Sequence, residues 1–178
     1  MPPAKILSRE ETLLSPWVRL VRKDVEFAPG QRPETYHSLA QADYIAILAR
    51  TPGGLIPIVC QYRPAVEAYT WELPAGLLEP GETPELSCRR ELKEETGLDS
   101  ETIIPLGAYY PDTGRHGNEQ HAFFVRASDP DPSFRPEPGM SVKYVTFEIL
   151  KDLIRKGEFR HQLHIAVFTL ASLRGLDF

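Results

Sequence analysis

Residues 76–98 read GLLEPGETPELSCRRELKEETGL, and this stretch decides the fold. Gly81-Glu82-Thr83-Pro84 is a turn feeding a helix. Thr83 is placed to cap it, and Pro84 takes the first helical position, where its missing N–H costs nothing. Gly97 ends the helix, as glycine does just past a helix terminus. Between them, the 3.6-residue period puts Glu91, Glu94 and Glu95 on one face with Ser87 and Cys88 beside them. Glu85, Arg89 and Lys93 fall on the other side, so the carboxylates are set apart from cations that could neutralise them. Like charges at this spacing cost a helix a few tenths of a kcal/mol per pair, and burial would add to that cost. A hard divalent cation, Mg²⁺ or Mn²⁺, is the partner that such a carboxylate face suits. The plain alternative is an acidic helix laced with Glu–Arg pairs.

The spacing goes further than a helix face. Gly76, Glu82, Arg90-Glu91-Leu92, Glu94-Glu95, Gly97 and Leu98 fill every fixed position of G-x5-E-x7-R-E-U-x-E-E-x-G-U, where U is a bulky apolar residue. This pattern resembles the Nudix box. The resemblance implies a metal-dependent hydrolase that cleaves the phosphoanhydride of a nucleoside diphosphate joined to another group. It also implies that Glu91 and Glu95 ligate the metal with the Ala75 carbonyl, that Glu94 is a ligand or base, and that Arg90 orients the glutamates. Glu82 would tie the loop to the helix at the metal's edge.

The flanks are similar to the ADP-ribose/ADP-sugar pyrophosphatase branch. Upstream stand Gln61-Tyr62-Arg63-Pro64 and Trp71-Glu72-Leu73-Pro74-Ala75-Gly76; earlier come Pro16-Trp17-Val18-Arg19-Leu20, Pro29-Gly30 and Thr35-Tyr36-His37-Ser38. The resemblance implies that Trp17 and Tyr36 stack on adenine, that Arg63 contacts phosphates or the terminal ribose, and that Glu72 lies near the adenine or metal site. It further implies an N-terminal β-subdomain exchanged across a homodimer. Taken from the residues alone, Trp17 could be core, Tyr36 a sheet-surface aromatic and Arg63 half of a surface ion pair. Residues 110–120 form a long polar loop suited to a lid. Pro111 and Glu119 match by type the proline and the glutamate (base or extra metal ligand) of the related loop. Asp112-Thr113-Gly114-Arg115 departs from its usual wording, so Asp112 competes with Glu119 and the box glutamates as base. His116 and His121 read as structural or solvated. His161 and His164 have no cysteine partner and no HExxH frame, and read as surface and core residues of the last helix.

Around the box, extended segments are expected at residues 12–27, 34–39, 43–49, 55–62, 69–73, 102–110, 121–126 and 142–147. Helices are expected at 147–156 and 161–173, where apolar residues recur at helical spacing. The strand at 69–73 closes at Pro74-Ala75-Gly76, just before the box, and the Pro- and Asp-rich residues 128–139 read as an exposed loop. Strands around a central helix with helices at the end predict an α/β (α+β) fold. Together with the resemblance, this is a Nudix-type α/β/α sandwich with a mixed sheet, residues 41–178, preceded by the small β-subdomain, residues 1–40.

Composition sets the remaining bounds. At 178 residues with 42% hydrophobic and 25% charged side chains, the chain has the profile of a soluble globular protein able to bury a core. A net charge of −5 argues against non-specific binding to nucleic acid or acidic membranes. It does not oppose an anionic nucleotide substrate, because bound cations reverse the local field. Cys60 and Cys88 make no disulfide framework. Met1-Pro2-Pro3-Ala4-Lys5 leads into no apolar signal core, and no apolar run has transmembrane length, so the cytoplasm is the expected location. The substrate classes left open are ADP-ribose or an ADP-sugar and, behind them, NADH, GDP-mannose, UDP-glucose or an oxidised nucleotide. A non-catalytic nucleotide sensor or a structural interaction module would be a different class of protein.

Overall fold

A computed structural model describes residues 3–176. Met1-Pro2 and Asp177-Phe178, the outer ends of the two expected domains, lie outside the described residues. The chain forms two compact units: one takes the residues up to Asp43 together with Tyr110–Glu119, the other Tyr44–Tyr109 and the residues from Gln120 onward.

The first unit is an antiparallel three-stranded sheet of β1 (Lys5–Ser15), β2 (Val18–Glu26) and β3 (Glu34–Ala40), in that order. Residues 12–27, expected as one extended segment, are instead parts of a hairpin that turns at Pro16-Trp17, and β1 begins upstream at Lys5. The turn lacks the Asn-Gly or Gly-Gly signal that marks tight hairpins, which is why sequence reading ran through it. Residues 110–119 are zipped to the end of β3 by backbone bonds. The Leu39 N–H donates to the Arg115 carbonyl at 2.7 Å, and the Gly117 N–H donates to the Leu39 carbonyl at 3.1 Å.

The second unit carries two sheets and three helices. Its four-stranded sheet has the order β7 (Ala75–Leu77), β4 (Tyr44–Arg50), β9 (Gln120–Ala127), β8 (Ser100–Tyr109). It is mixed: β4 runs parallel to β9, and the outer pairings are antiparallel. A smaller antiparallel sheet orders β10 (Met140–Val145), β5 (Ile56–Arg63) and β6 (Ala68–Glu72). The central strands read as near-continuous apolar runs because both of their faces are covered. Ile45, Ile47, Ala49, Phe123 and Val125 pack with Cys88 and Leu92 of helix α1 (Pro84–Thr96). Ala46, Leu48, Ala122 and Phe124 pack the other way, with Leu150 of α2 (Phe147–Arg155) and Val167 and Ala171 of α3 (Gln162–Leu173). Helices on both faces of a mixed sheet are the expected α/β/α sandwich.

Two local readings change. Pro74-Ala75-Gly76, expected only as the close of the preceding strand, runs into a further strand β7, whose three residues pair antiparallel with Tyr44, Ile45 and Ala46. A strand this short has no periodicity to detect, and its pairing with β4 is what defines it. The helices are each trimmed at an end, with Lys156 capping α2 and His161 preceding α3. None of the described helices is long and apolar enough to cross a membrane.

Candidate active site

Helix α1 presents the carboxylates because its ends are fixed locally. Thr83 Oγ1 accepts from the Leu86 N–H at 3.3 Å. Gly97 caps the C-terminus at φ 75°, donating its N–H to the Lys93 carbonyl. A Cβ on Gly97 would lie 2.5 Å from the ring of Phe134, so this residue is glycine on grounds of both conformation and space.

Between these ends, Glu95 is 9% exposed and accepts from the Ala75 N–H at 2.9 Å. Glu91 is largely buried and takes a 2.7 Å bond from Arg90 Nη1, whereas Glu94 is exposed, 3.2 Å from the same nitrogen. Arg90 also reaches Glu82 through Nε at 3.0 Å and Nη2 at 2.9 Å. Gly76 underlies the arrangement, since a Cβ there would fall 1.8 Å from Glu91 Oε1. The expected separation of the carboxylates from cations holds for Arg89, bonded to Ser100, and for Lys93, bonded to Asp99. Arg90 lies outside that separation, and its guanidinium gathers Glu82, Glu91 and Glu94, because a long side chain reaches beyond the angular slot of its Cα.

The electrostatics divide Glu95 and Glu91 from Glu82. Burial pushes Glu95 up to about 8, with Glu91 adding to the rise and the Ala75 N–H opposing it. Burial also raises Glu91 despite its bonds to Arg90. Glu82 is held down to about 2 by Arg90. Glu91 and Glu95 are thus desolvated beside a glycine cradle, with the Arg90 guanidinium shared among three carboxylates and Arg63 acting on Glu95 without a bond to it. That donor set fits a hard divalent cation, which takes carboxylate and carbonyl oxygens and would remove the cost of ionising both groups.

Arg63 and Glu72 form a second pair. Glu72, 1% exposed, accepts from Arg63 Nε at 2.8 Å and Nη2 at 2.6 Å, and from Thr70 Oγ1 at 2.5 Å. Burial works against ionisation of Glu72, and these bonds outweigh it and hold the carboxyl low. Arg63 Nη1 stands outside this fork. Beside Glu72, the rings of His161 and His164 stack at 3.7 Å, and donor atoms of the three residues lie within 4.8 Å of one another. Most of this cluster is already engaged, which makes it a poor metal centre: both Glu72 oxygens hold Arg63, and His164 Nδ1 accepts from the Leu73 N–H at 3.0 Å, leaving His161 Nδ1 buried without a hydrogen-bond partner. Burial lowers both imidazoles, keeping them neutral. His164 is core, as expected, and His161 is half-buried rather than at the surface.

In the first unit, Trp17 is 72% exposed at the β1–β2 turn. Tyr36 of β3 donates its hydroxyl to the Gly114 carbonyl, and the Arg115 guanidinium lies 5.6 Å from its ring centre. A cavity of about 460 Å³ is lined by Tyr36, Ser38, Leu39 and Arg115 among others, and Trp17 is not part of its wall. Glu119 donates its backbone N–H to Asp43 at 2.7 Å. Asp112 uses its carboxylate to cap the Gly114 N–H at 2.8 Å. The NUDIX domain profile matches residues 39–165.

The chain belongs to the Nudix family. It is 33% identical over 121 residues to an ADP-ribose pyrophosphatase of Bacillus subtilis (strain 168), covering 68% of this chain and 65% of that protein. It is 41% identical over 93 residues to an ADP-ribose pyrophosphatase of Mycobacterium tuberculosis, covering 52% and 45%. An ADP-sugar pyrophosphatase of Mus musculus is 30% identical over 150 residues, covering 76% and 68%. The matched segment thus spans less than two thirds of the two bacterial relatives. A crystal structure described as an ADP compounds hydrolase superposes with a TM-score of 0.81 at 21% identity, over 99% of this chain and 97% of that one, and shares the fold.

Sequence reasoning placed Glu82, Glu91, Glu94 and Glu95 in the box and missed two contacts nearby. The Gly76–Glu91 approach joins a strand to a helix, and the only local signal for it is the glycine itself. The His164–Leu73 bond joins residues far apart in the chain, and nothing near either one marks it.

Proposed function

We propose that this Nudix protein hydrolyses the diphosphate linkage of ADP-ribose or a related ADP-sugar, giving AMP and a sugar phosphate. The observation that carries the reading is the buried Glu95 on the Ala75 N–H and the largely buried Glu91 against Gly76, inside a complete box. The names of the bacterial and mouse relatives support the substrate class.

Glu91, Glu95 and the Ala75 carbonyl hold Mg²⁺, with Mn²⁺ a substitute and Glu94 a further ligand or base. When bound, the cation lowers the pKa of a water and offsets charge growing on the phosphoryl oxygens. Arg90 fixes the glutamates: its bonds to Glu82, Glu91 and Glu94 limit their rotamers, and a planar guanidinium suits several carboxylates at once. Glu72 aims Arg63 through a two-point fork and leaves Nη1 for a substrate phosphate. Glu119 takes the proton from the attacking water. Asp112 is the weaker candidate for that role, since its carboxylate is already spent on Gly114. Tyr36 and Trp17 stack on the adenine, Tyr36 being already oriented by its hydroxyl bond and by Arg115. A homodimer joined through the N-terminal subdomain, residues 1–40, and a cytoplasmic setting complete the reading. The free thiols of Cys60 and Cys88 agree with that setting.

The test is phosphate-coupled turnover with Mg²⁺ on ADP-ribose, ADP-glucose, NADH, GDP-mannose, UDP-glucose and 8-oxo-dGDP. The expected result is a preference for ADP-ribose or ADP-glucose. A faster rate on another diphosphate overturns the adenine-stacking roles and keeps the chemistry. Binding without any turnover turns the reading to a nucleotide sensor.

A further inference from the structure

The segment Leu73-Pro74-Ala75-Gly76 brings the backbone to the carboxylates of α1, and how it is held has a consequence for the site. Proline has no N–H, so the first three residues offer two backbone donors. Neither is spent on a strand partner. The Ala75 N–H goes to Glu95 Oε2 at 2.9 Å, and the Leu73 N–H goes to His164 Nδ1 at 3.0 Å. The Pro74 carbonyl accepts from the Ile47 N–H at 2.9 Å, tying the segment to β4. A three-residue strap therefore runs from a histidine on α3 to a carboxylate on α1.

His164 is built for this task. It is 1% exposed, so its acceptor does not compete with water. With Nδ1 accepting, the proton of the neutral ring sits on Nε2. The His161 ring stacks on it at 3.7 Å and 13°, which fixes the ring plane and keeps Nδ1 directed at Leu73. His161 stands in turn beside the Glu72–Arg63 pair. A packing role alone could be filled by leucine, which needs no partner in a core. A buried imidazole in its place costs free energy unless its bond is needed.

We propose that His164 is a positioning residue for the cation site: its bond to the Leu73 N–H sets the Ala75 backbone, and through it the placement of Glu95 and the Ala75 carbonyl. This rests on the proposed function, in which those two groups hold a divalent cation.

Three variants test it. In His164→Asn the amide oxygen falls near the position of Nδ1 and keeps the acceptor. In His164→Gln the oxygen falls near Nε2 and does not reach Leu73. His164→Leu removes the acceptor altogether. The dissociation constant for Mn²⁺, measured by electron paramagnetic resonance, is compared with the melting temperature and with amide hydrogen exchange at Leu73 and Ala75 in the metal-free protein. The expected result is Mn²⁺ binding weakened about 10-fold or more in the Gln and Leu variants, with faster Ala75 exchange, while the Asn variant stays close to wild type. Equal losses in Asn and Gln overturn the proposal. So does a Leu variant that melts lower yet binds Mn²⁺ as wild type does, since that is packing alone. Should the Leu variant not fold, the Asn and Gln pair decides. A wild-type protein that binds no Mn²⁺ overturns the cation reading itself. The exchange arm then still judges the strap, and unchanged Ala75 exchange in His164→Gln refutes it.

Discussion

At the residue scale, Glu95 joins structure to chemistry most directly. The residue is about 9% exposed, and burial pushes its carboxyl up to about 8, against 4.5 for an ordinary glutamate. In metal-free protein, the native state keeps this proton between those values while the unfolded state has lost it. The associated stability is present in full below pH 4.5 and disappears as pH rises through about 8. Glu91, also raised by burial, acts in the same direction. Melting temperature in chelator should therefore fall across that window, and added Mg²⁺ should raise it most at the alkaline end, where no proton competes. Glu95→Gln should flatten the metal-free profile and abolish turnover with the fold intact; near-normal activity in that variant would refute the metal-site assignment. Gly76→Ala offers a second check, because its Cβ would fall 1.8 Å from Glu91 Oε1 and the carboxylate would have to swing away. Mn²⁺ affinity should drop about 10-fold or more with an unchanged circular dichroism spectrum. The carboxylates were legible in the sequence because the box spacing is a helical spacing. Their protonation was not, because burial depends on which strands cover the helix.

At the scale of the element, helix α1 was readable end to end. Thr83, Pro84 and Gly97 act on their immediate neighbours, so local sequence determines their effect. Thr83→Ala should cost about 1 kcal/mol of unfolding free energy, measured in urea, and should leave Mg²⁺ dependence in place. Strand β7 and the β1–β2 hairpin were not readable, for opposite reasons. Three residues of β7 are too few for any pattern and are specified by pairing with Tyr44, Ile45 and Ala46. The hairpin has pattern on both arms and no recognisable turn at Pro16-Trp17. Arg90 is a milder case: its place on the helix is periodic, but its reach to Glu82 depends on a loop folding back.

At the scale of the whole molecule, the first unit leaves much apolar surface uncovered. Ile6, Leu7, Leu13, Leu14 and Trp17 are each more than half exposed, and all but Trp17 lie on edge strand β1. Such a strand invites a partner. If the proposed homodimer forms there, sedimentation velocity should give twice the 20.1 kDa chain mass, and Leu13→Glu should shift it to monomer; a wild-type monomer at all concentrations would refute the dimer. The mixed sheet was foreseen from the succession of strands and helices, but the partner of β4 was not, because strand order is a property of the folded chain. That partner has a consequence for how the protein is made. β4 pairs in parallel with β9, and the whole box is translated between them. A ribosome therefore releases the carboxylate helix before the strand that supplies Phe123 and Val125 to its apolar face. Until β9 emerges, that face of β4 and α1 stays unfinished, a natural stretch for a chaperone to shield. Cys88 can report on this interval: in the finished protein its thiol is buried and pushed up to about 12, so alkylation at that residue should distinguish a stalled nascent chain from a completed one.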